Sequence, residues 1–251
     1  PMFGFAGLLL FIAKRRSAAA KAEPEEPEEE PAPERGSPEE VHQALTLDVL
    51  SRELGYELVG LVDTKSGGTL LERVAGLRRE IAKELGIVVP PVRVCDNLEV
   101  APGGYRMLLS GSPIAEGSCQ AGRMLAVDPG GHAPPLEGDP TTEPAFGMPA
   151  RWILPRDREM AEALGYTVVD HATVLATHLG EALRHGSHRL VGRQELQHLI
   201  DLLAQRYPKL VDDVIPTALS LGELLRVIRN LLRERISVRD LRTIIEALAD
   251  L

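Results

Sequence analysis

Aromatic side chains are scarce in this 251-residue chain, at 4% of residues including a single Trp, so its cores must be aliphatic and each large ring stands out. Cysteine is scarcer still. Cys95 and Cys119 form no CxxC pair and have no His set beside them, which excludes a disulfide scaffold and a structural zinc site and fits a reducing compartment. No apolar run reaches the roughly 20 residues that cross a bilayer. Enzyme signatures are absent too. There is no GxxxxGK(S/T) loop, no GxSxG elbow and no HExxH helix, and Lys65-Ser66-Gly67-Gly68 lacks the glycines that would cradle a phosphate. A net charge of -9 argues against nucleic acid as a partner.

What is present divides by composition. Met2 to Ala13 is almost wholly apolar and ends in Lys14-Arg15-Arg16, the pattern of the cytoplasmic end of a membrane span. The chain opens on Pro1 and stops at Leu251 directly after a helical pattern, and it reads as a piece of a longer one. Residues 17–44 are rich in Ala, Pro and Glu, with nine Glu against Lys21 and Arg35 between Ser17 and Glu40, and read as an extended, self-repelling tether.

From residue 45 the pattern alternates α and β. Tyr56 to Val62 predicts a strand. Thr69 and Glu72 predict a capping box for a helix carrying Leu70, Val74, Leu77, Ile81 and Leu85 on one face and stopped by Gly86. Further strands are expected at Ile87 to Val89, Val92 to Cys95, Tyr105 to Leu109, Ile114 to Cys119, Arg123 to Val127 and Tyr166 to Val169. Residues 111–147 are loop-like, with many Pro and Gly. Helices are expected from Pro155 to about Leu164 and from Ala172 to about His185. Beyond Val191 everything reads as helix. Ser220 with Glu223 and Ser237 with Asp240 mark two starts. The fold class expected is α+β in several subdomains: a small α/β unit with a β-rich insertion, then an all-α unit.

Two clusters of polar residues suggest chemistry. His178 and His185 lie seven apart on one predicted helix with His188 one turn beyond, and a metal-dependent enzyme would need Glu181 or a cysteine to converge on them. Ser237 to Arg242, preceded by Arg226, Arg229, Arg233 and Arg235, has the outline of a helix-turn-helix, but Glu223, Glu234 and Glu246 make a solvated charged rim the simpler reading. A different signal comes from residues 141–153, where Phe146 and Trp152 sit among turn formers. Gly147 lets the backbone pass close to the Phe146 ring, which either packs under the loop or faces a shallow groove.

Several stretches taken in order resemble one family: LGYELVGLVD (54–63), VPPVRVCDNL (89–98), EPAFG (143–147), YTVVD (166–170) with ATHL (176–179), and GRQE (192–195). They are similar to the cytoplasmic region of the FHIPEP family, the export-gate proteins of bacterial type III secretion, and in particular to its flagellar branch; the injectisome branch is the nearest alternative. The resemblance implies a membrane-anchored, non-enzymatic docking platform in the inner membrane, with this region cytoplasmic and assembled as a nonameric ring. Its implied partners are flagellar export chaperones with bound substrates, other export-gate proteins and the proteins of a separate ATPase complex; no cofactor or metal is implied. It further implies residues 1–16 as the end of a transmembrane helix, 17–44 as linker, 45–121 with 171–190 as a first subdomain, 122–170 as a second inserted in it, and 191–251 as a helical third. The family's chaperone-binding dimple falls on Glu143, Phe146, Val169, Val174 and Thr177, with Glu143 standing where the family often has Asp.

Overall fold

The computed structural model describes residues 48–63 and 68–250; the predicted membrane end and tether, and the Lys65 turn, lie outside the described residues. Two four-stranded sheets carry the first two-thirds. In the first sheet the order is β2 (Arg93–Asp96), β1 (Leu50–Leu54), β3 (Gly104–Leu109), β4 (Ser112–Ser118), with β1 and β2 parallel and the other pairs antiparallel. In the second, β6 (Asp139–Thr142), β7 (Pro149–Ile153), β5 (Met124–Val127) and β8 (Thr167–Val169) are all antiparallel. The helices are α1 (Leu70–Leu85), α2 (Arg158–Ala163), α3 (His171–His185), α4 (Arg193–Ala204), α5 (Pro208–Val214), α6 (Leu221–Arg233) and α7 (Leu241–Ala249). The fold is α+β, as expected.

Local chemistry explains where the elements begin and end. Gly86 stops α1 in the left-handed conformation (φ 79°), and there a Cβ would lie 2.5 Å from the Arg239 backbone nitrogen, so glycine is required twice over. Asp170 caps α3 by accepting from the Thr173 N–H at 2.7 Å. Ser220 and Glu223 form the expected capping box on α6. Along α1, Leu70, Val74, Ile81 and Leu85 are buried, the helical spacing read from the sequence.

Four expectations fail. Tyr56 to Val62 is not a strand but a 3-10 turn over Tyr56–Leu61, and the strand lies just before it at Leu50–Leu54. Gly55 is bound to the Gly104 carbonyl at 2.9 Å and a Cβ there would sit 2.0 Å from the Ala101 oxygen, so the chain turns away from the ladder. The Thr69–Glu72 box does not form, because the Thr69 hydroxyl accepts instead from Arg73 Nε at 3.3 Å. Ile87 and Val89 are buried without a strand partner; the Val89 carbonyl takes both Arg78 Nε and Nη2, at 3.1 and 2.9 Å. Ser237 does not open α7. Asp240 caps it through the Thr243 N–H, while Ser237 Oγ donates to the Glu84 carbonyl at 2.7 Å and ties the helical part to the end of α1.

The arginines of the suspected helix-turn-helix are partly committed to the protein itself. Arg229 binds the Val191 carbonyl, Arg235 binds Glu181, and Arg242 pairs with Glu246 while covering the Tyr207 ring at 4.7 Å. Helices α4, α6 and α7 bury Leu196, Ile200, Leu224, Ile228, Leu232, Leu241 and Ile245 in the same core as both sheets.

One core residue breaks the pattern. Arg52 points inward from β1 between Leu50 and Leu54 and is fully buried, its Nε and Nη1 have no hydrogen-bond partner, and Nη2 reaches only the Leu175 carbonyl at 3.5 Å. Burial pulls its pKa down to about 10. A buried cation without a carboxylate destabilises the fold. Arg52→Met, similar in reach and apolar, is expected to raise the unfolding free energy by about 1–4 kcal/mol, read from urea unfolding of both proteins; equal or lower stability in the variant overturns this account of Arg52.

Candidate functional site

The hairpin of β6 and β7 presents the residues singled out by sequence, and the loop that joins the strands is organised by one carboxylate. Glu143 is buried at 5% exposure, and its two oxygens accept from the Ala145 and Phe146 N–H groups at 2.9 and 2.8 Å. Its own N–H donates to the Met148 carbonyl at 2.8 Å, and its carbonyl accepts from the Gly147 N–H at 3.0 Å, with Gly147 at φ 71° closing the turn. The loop cannot relax inward, so Phe146 is held outward at 59% exposure, whereas Trp152, on the following strand, is buried at 4% and meets the His171 ring edge-on at 5.6 Å. The two aromatics of this stretch have opposite fates. Strand alternation buries the indole, and the turn ejects the phenyl ring.

Beside Phe146 lies a dimple of about 160 Å³. All five residues matched from sequence line it: Glu143 and Phe146 from the hairpin loop, Val169 from the end of β8, Val174 and Thr177 from α3. Residues that the sequence reading missed complete the wall, among them Val127, Met148 and Thr173. Thr173 was within reach of spacing arguments, since it precedes Thr177 by one helical turn; Val127 joins the dimple through its pairing with Ala150, and Met148 through the loop bond from Glu143 N–H to its carbonyl. The lining is apolar apart from threonine hydroxyls and the Glu143 carboxylate, which is turned to the backbone. Glu143 therefore acts on the dimple by holding the loop.

On its other side Phe146 borders a groove of about 420 Å³ between α1 and α3, floored by Gly76, Ala176 and Gly180. A Cβ at Gly180 would meet Leu77 Cδ1 at 2.9 Å, so glycine sets the close approach of these helices. Ion pairs close the groove's ends: Arg73 with Asp170 at 3.1 Å, and Arg184 with Glu80 and Glu84, both at 2.9 Å.

Behind the dimple, His178 Nδ1 is 2.9 Å from the Tyr105 hydroxyl, which reaches it across Gly117, where a Cβ would lie 2.5 Å from that oxygen. His185 Nδ1 is 2.7 Å from Arg235 Nη2, which also donates to Glu181 at 2.6 Å. Of the histidines weighed as the alternative for a metal-dependent enzyme, His178 meets a phenol and His185 a guanidinium, although both line one concavity with Glu181 and His188. Among the described residues no three His, Cys, Asp or Glu side chains are placed to share a metal ion. Cys119 is buried, and burial pushes its thiol up to about 12.

An α+β module with an exposed phenyl ring over a small apolar dimple is thus defined by fold and surface. The chain belongs to the FHIPEP family, whose sequence profile matches residues 1–251. It is 43% identical over 249 residues to the flagellar biosynthesis protein FlhA of Bacillus subtilis, covering 98% of this chain and 37% of that protein. The chain spans about a third of the length of the curated relatives it matches. Among solved structures it is similar to the Chlamydia pneumoniae CdsV protein, with TM-score 0.68 and 25% identity over 82% of this chain and 60% of that one. It shares its fold with nonameric EPEC SctV-C, with TM-score 0.61 and 20% identity over 81% of this chain and 60% of that one.

Two predictions come from this geometry. Glutamine has a single acceptor oxygen, so Glu143→Gln leaves one loop N–H facing an NH₂ group; a loss of about 1–3 kcal/mol is expected in urea unfolding, with increased mobility of Phe146 in relaxation measurements. An unaltered loop and stability would refute the keystone role of Glu143. The second concerns pH. Burial holds His171 and His178 below the ordinary imidazole pKa, with Glu143 pulling His178 up and Arg52 pushing it down. The unfolded chain takes up protons as pH falls through about 6.5 and the folded one resists, so stability is full above that value and declines below it. The urea midpoint is expected to drop between pH 7.5 and 5.5, and to drop less in His178→Gln; equal pH dependence in both excludes His178 as a contributor.

Proposed function

We propose that this chain is the cytoplasmic docking platform of a bacterial flagellar type III export gate, anchored in the inner membrane through residues 1–16 and the 17–44 tether. The observation that carries this reading is Phe146: a large apolar side chain, 59% exposed, held rigidly beside a preformed dimple by a buried carboxylate. Monomeric surfaces rarely fix an exposed ring over an apolar concavity without a partner to cover it. In this reading an export chaperone with its substrate lays an apolar side chain, presented from a helix, into the space walled by Phe146, Val169 and Val174, with Thr177 at the rim and Glu143 holding the loop.

Family membership supports the same assignment, and the 43% identity to a flagellar protein favours the flagellar branch over the injectisome one. The division into a first subdomain (45–121 with 171–190), an inserted second (122–170) and a helical third (191–251) belongs to this proposal. So does assembly into a ring of nine, as in the nonameric SctV-C structure, and association with other gate and ATPase-complex proteins; that CdsV is solved in complex with CdsO supports only the taking of a protein partner.

Calorimetric titration with a flagellar chaperone bound to its late substrate tests the proposal. Micromolar binding is expected for the native chain, weakened at least about 30-fold by Phe146→Ala, the loss of a hot-spot aromatic, with the fold unchanged. Unchanged affinity in the variant overturns the site, and no binding by the native chain overturns the docking function.

A further inference from the structure

A second concavity, of about 410 Å³, begins one residue from Phe146, at Ala145. Ile114 and Ala115 of β4 and Ala182 of α3 form its apolar wall, and His185, His188 and Arg189, at the end of α3 and in the 3-10 turn that follows, form its polar edge. Glu181 is the one acid that lines it, and Arg235 Nη2 already donates to that carboxylate at 2.6 Å. The basic character has a source in the sequence. Residues 182–194 hold Arg184, Arg189, Arg193 and two histidines with no Asp or Glu, and residues 224–233 hold Arg226, Arg229 and Arg233, again with no acid. Packing joins the two stretches: Ser187 Oγ donates to the Leu232 carbonyl at 3.2 Å and Arg229 Nε to the Val191 carbonyl at 2.9 Å. Arg184 is taken up by Glu80 and Glu84, but Arg233 reaches only the Asn230 side-chain oxygen, at 3.4 Å, and Arg189 is exposed. Burial and the charges of Arg233, Arg189 and Arg229 hold the His188 imidazole below its ordinary pKa, and its Nδ1 is buried without a hydrogen-bond partner. His185 Nδ1 accepts from Arg235, since a guanidinium only donates, so the ring proton sits on Nε2 of an exposed side chain. Cations gathered in this way repel one another and favour an anionic occupant.

We propose that this concavity is a second subsite of the docking surface and binds a carboxylate-bearing segment of the same protein partner whose apolar side chain fills the Phe146 dimple. Two features select that occupant. The first is chemistry: Ile114, Ala115 and Ala182 take aliphatic side chains, while Arg189 and the His185 N–H at the edge, backed by Arg233, donate to carboxylates in hydrogen bonds that charge strengthens. A bare phosphate surface would satisfy the cations and leave the apolar wall uncovered. The second is position. Ala145 belongs to the loop that Glu143 braces, so the concavity starts one Cα step, about 3.8 Å, from the residue that carries the exposed ring. An apolar dimple alone accepts many partners of similar side-chain size, and an ionic subsite beside it rejects those that lack the matching acid. This inference rests on the docking reading of the dimple and adds the chemistry of the partner surface next to it.

The test titrates the complete chain, in mild detergent, with a flagellar chaperone bound to its late substrate at several salt concentrations. Arg189→Glu with Arg233→Glu is expected to weaken binding at least about tenfold at low salt and to flatten its salt dependence. The fold, followed by circular dichroism, is expected to be retained, since neither arginine pairs with a carboxylate among the described residues. Phe146→Ala should lose affinity while keeping the native salt dependence. In Arg189→Lys, a zero-length carbodiimide should join the introduced amine to an Asp or Glu of the chaperone or substrate, located by peptide mass spectrometry. Affinity unchanged by the double reversal, or lowered equally at low and high salt, overturns the subsite and leaves docking at Phe146 standing. Full affinity in Arg189→Lys without a cross-link to the partner overturns the assignment of a partner carboxylate. No binding by the native chain at any salt concentration overturns the docking reading, and this subsite with it.

Discussion

Both sheets, α1 and the start of the helical part are fastened to one helix, α3. Its apolar face, Ala172, Val174, Leu175, Leu179 and Leu183, is buried, and full burial of each large aliphatic side chain contributes about 1.5–3 kcal/mol. Its start is capped by Asp170 at the end of the second sheet, and its middle is bonded to the first sheet through His178 and Tyr105. Its flank is set against α1 by Gly180, and its last turns reach α1 through Arg184 and the helical part through Glu181. With two sheets and two helical layers resting on it, α3 cannot shift without disturbing all of them, because packed interiors resist continuous deformation. The dimple shares in this arrangement, since Val174 and Thr177 line it from α3.

The polar groups of the interior divide into those that are satisfied and those that are not, the latter being Arg52 and one ring nitrogen each of His171 and His188. Glu143 is buried yet surrounded by backbone donors, so its desolvation is offset and it becomes the organiser of a loop. Tyr105 and His178 satisfy one another behind the dimple, and burial raises the phenol's pKa while lowering the imidazole's, so both stay neutral at physiological pH. Arg52 lacks any such compensation. The described residues thus hold an apolar dimple supported by satisfied polar contacts, with Arg52 as a buried cation without a carboxylate on an inner strand of the first sheet.

Charge is partitioned on the outside as well. Acid accumulates where the parallel strands end, around Glu57, Asp96 and Glu99, while the dimple between hairpin and α3 stays apolar.

Much of this was legible along the chain. Helical spacing marked α1, α3 and α6, the Gly86 stop and the Ser220–Glu223 cap were read from residue type, and Phe146 stood out as a ring among turn formers. These are local properties: periodicity, capping and backbone freedom depend on residues within one or two turns of each other. The strand at Leu50–Leu54 rather than Tyr56–Val62 and the diversion of Ser237 to α1 were decided elsewhere, because in each a partner far along the chain outcompetes the local one, whereas the Thr69 cap is lost to Arg73 one helical turn away. The same holds for the dimple. Sequence supplied its five named residues through resemblance and chemistry, but only the pairing of β5 with β7 and β8, and the packing of α3 behind them, brings Val127, Met148 and Thr173 to the same wall. Sequence determined which residues prefer to turn, cap or be buried; tertiary structure decided which of those preferences win, since a buried hydrogen-bonding group must be satisfied by whichever partner the fold brings within reach.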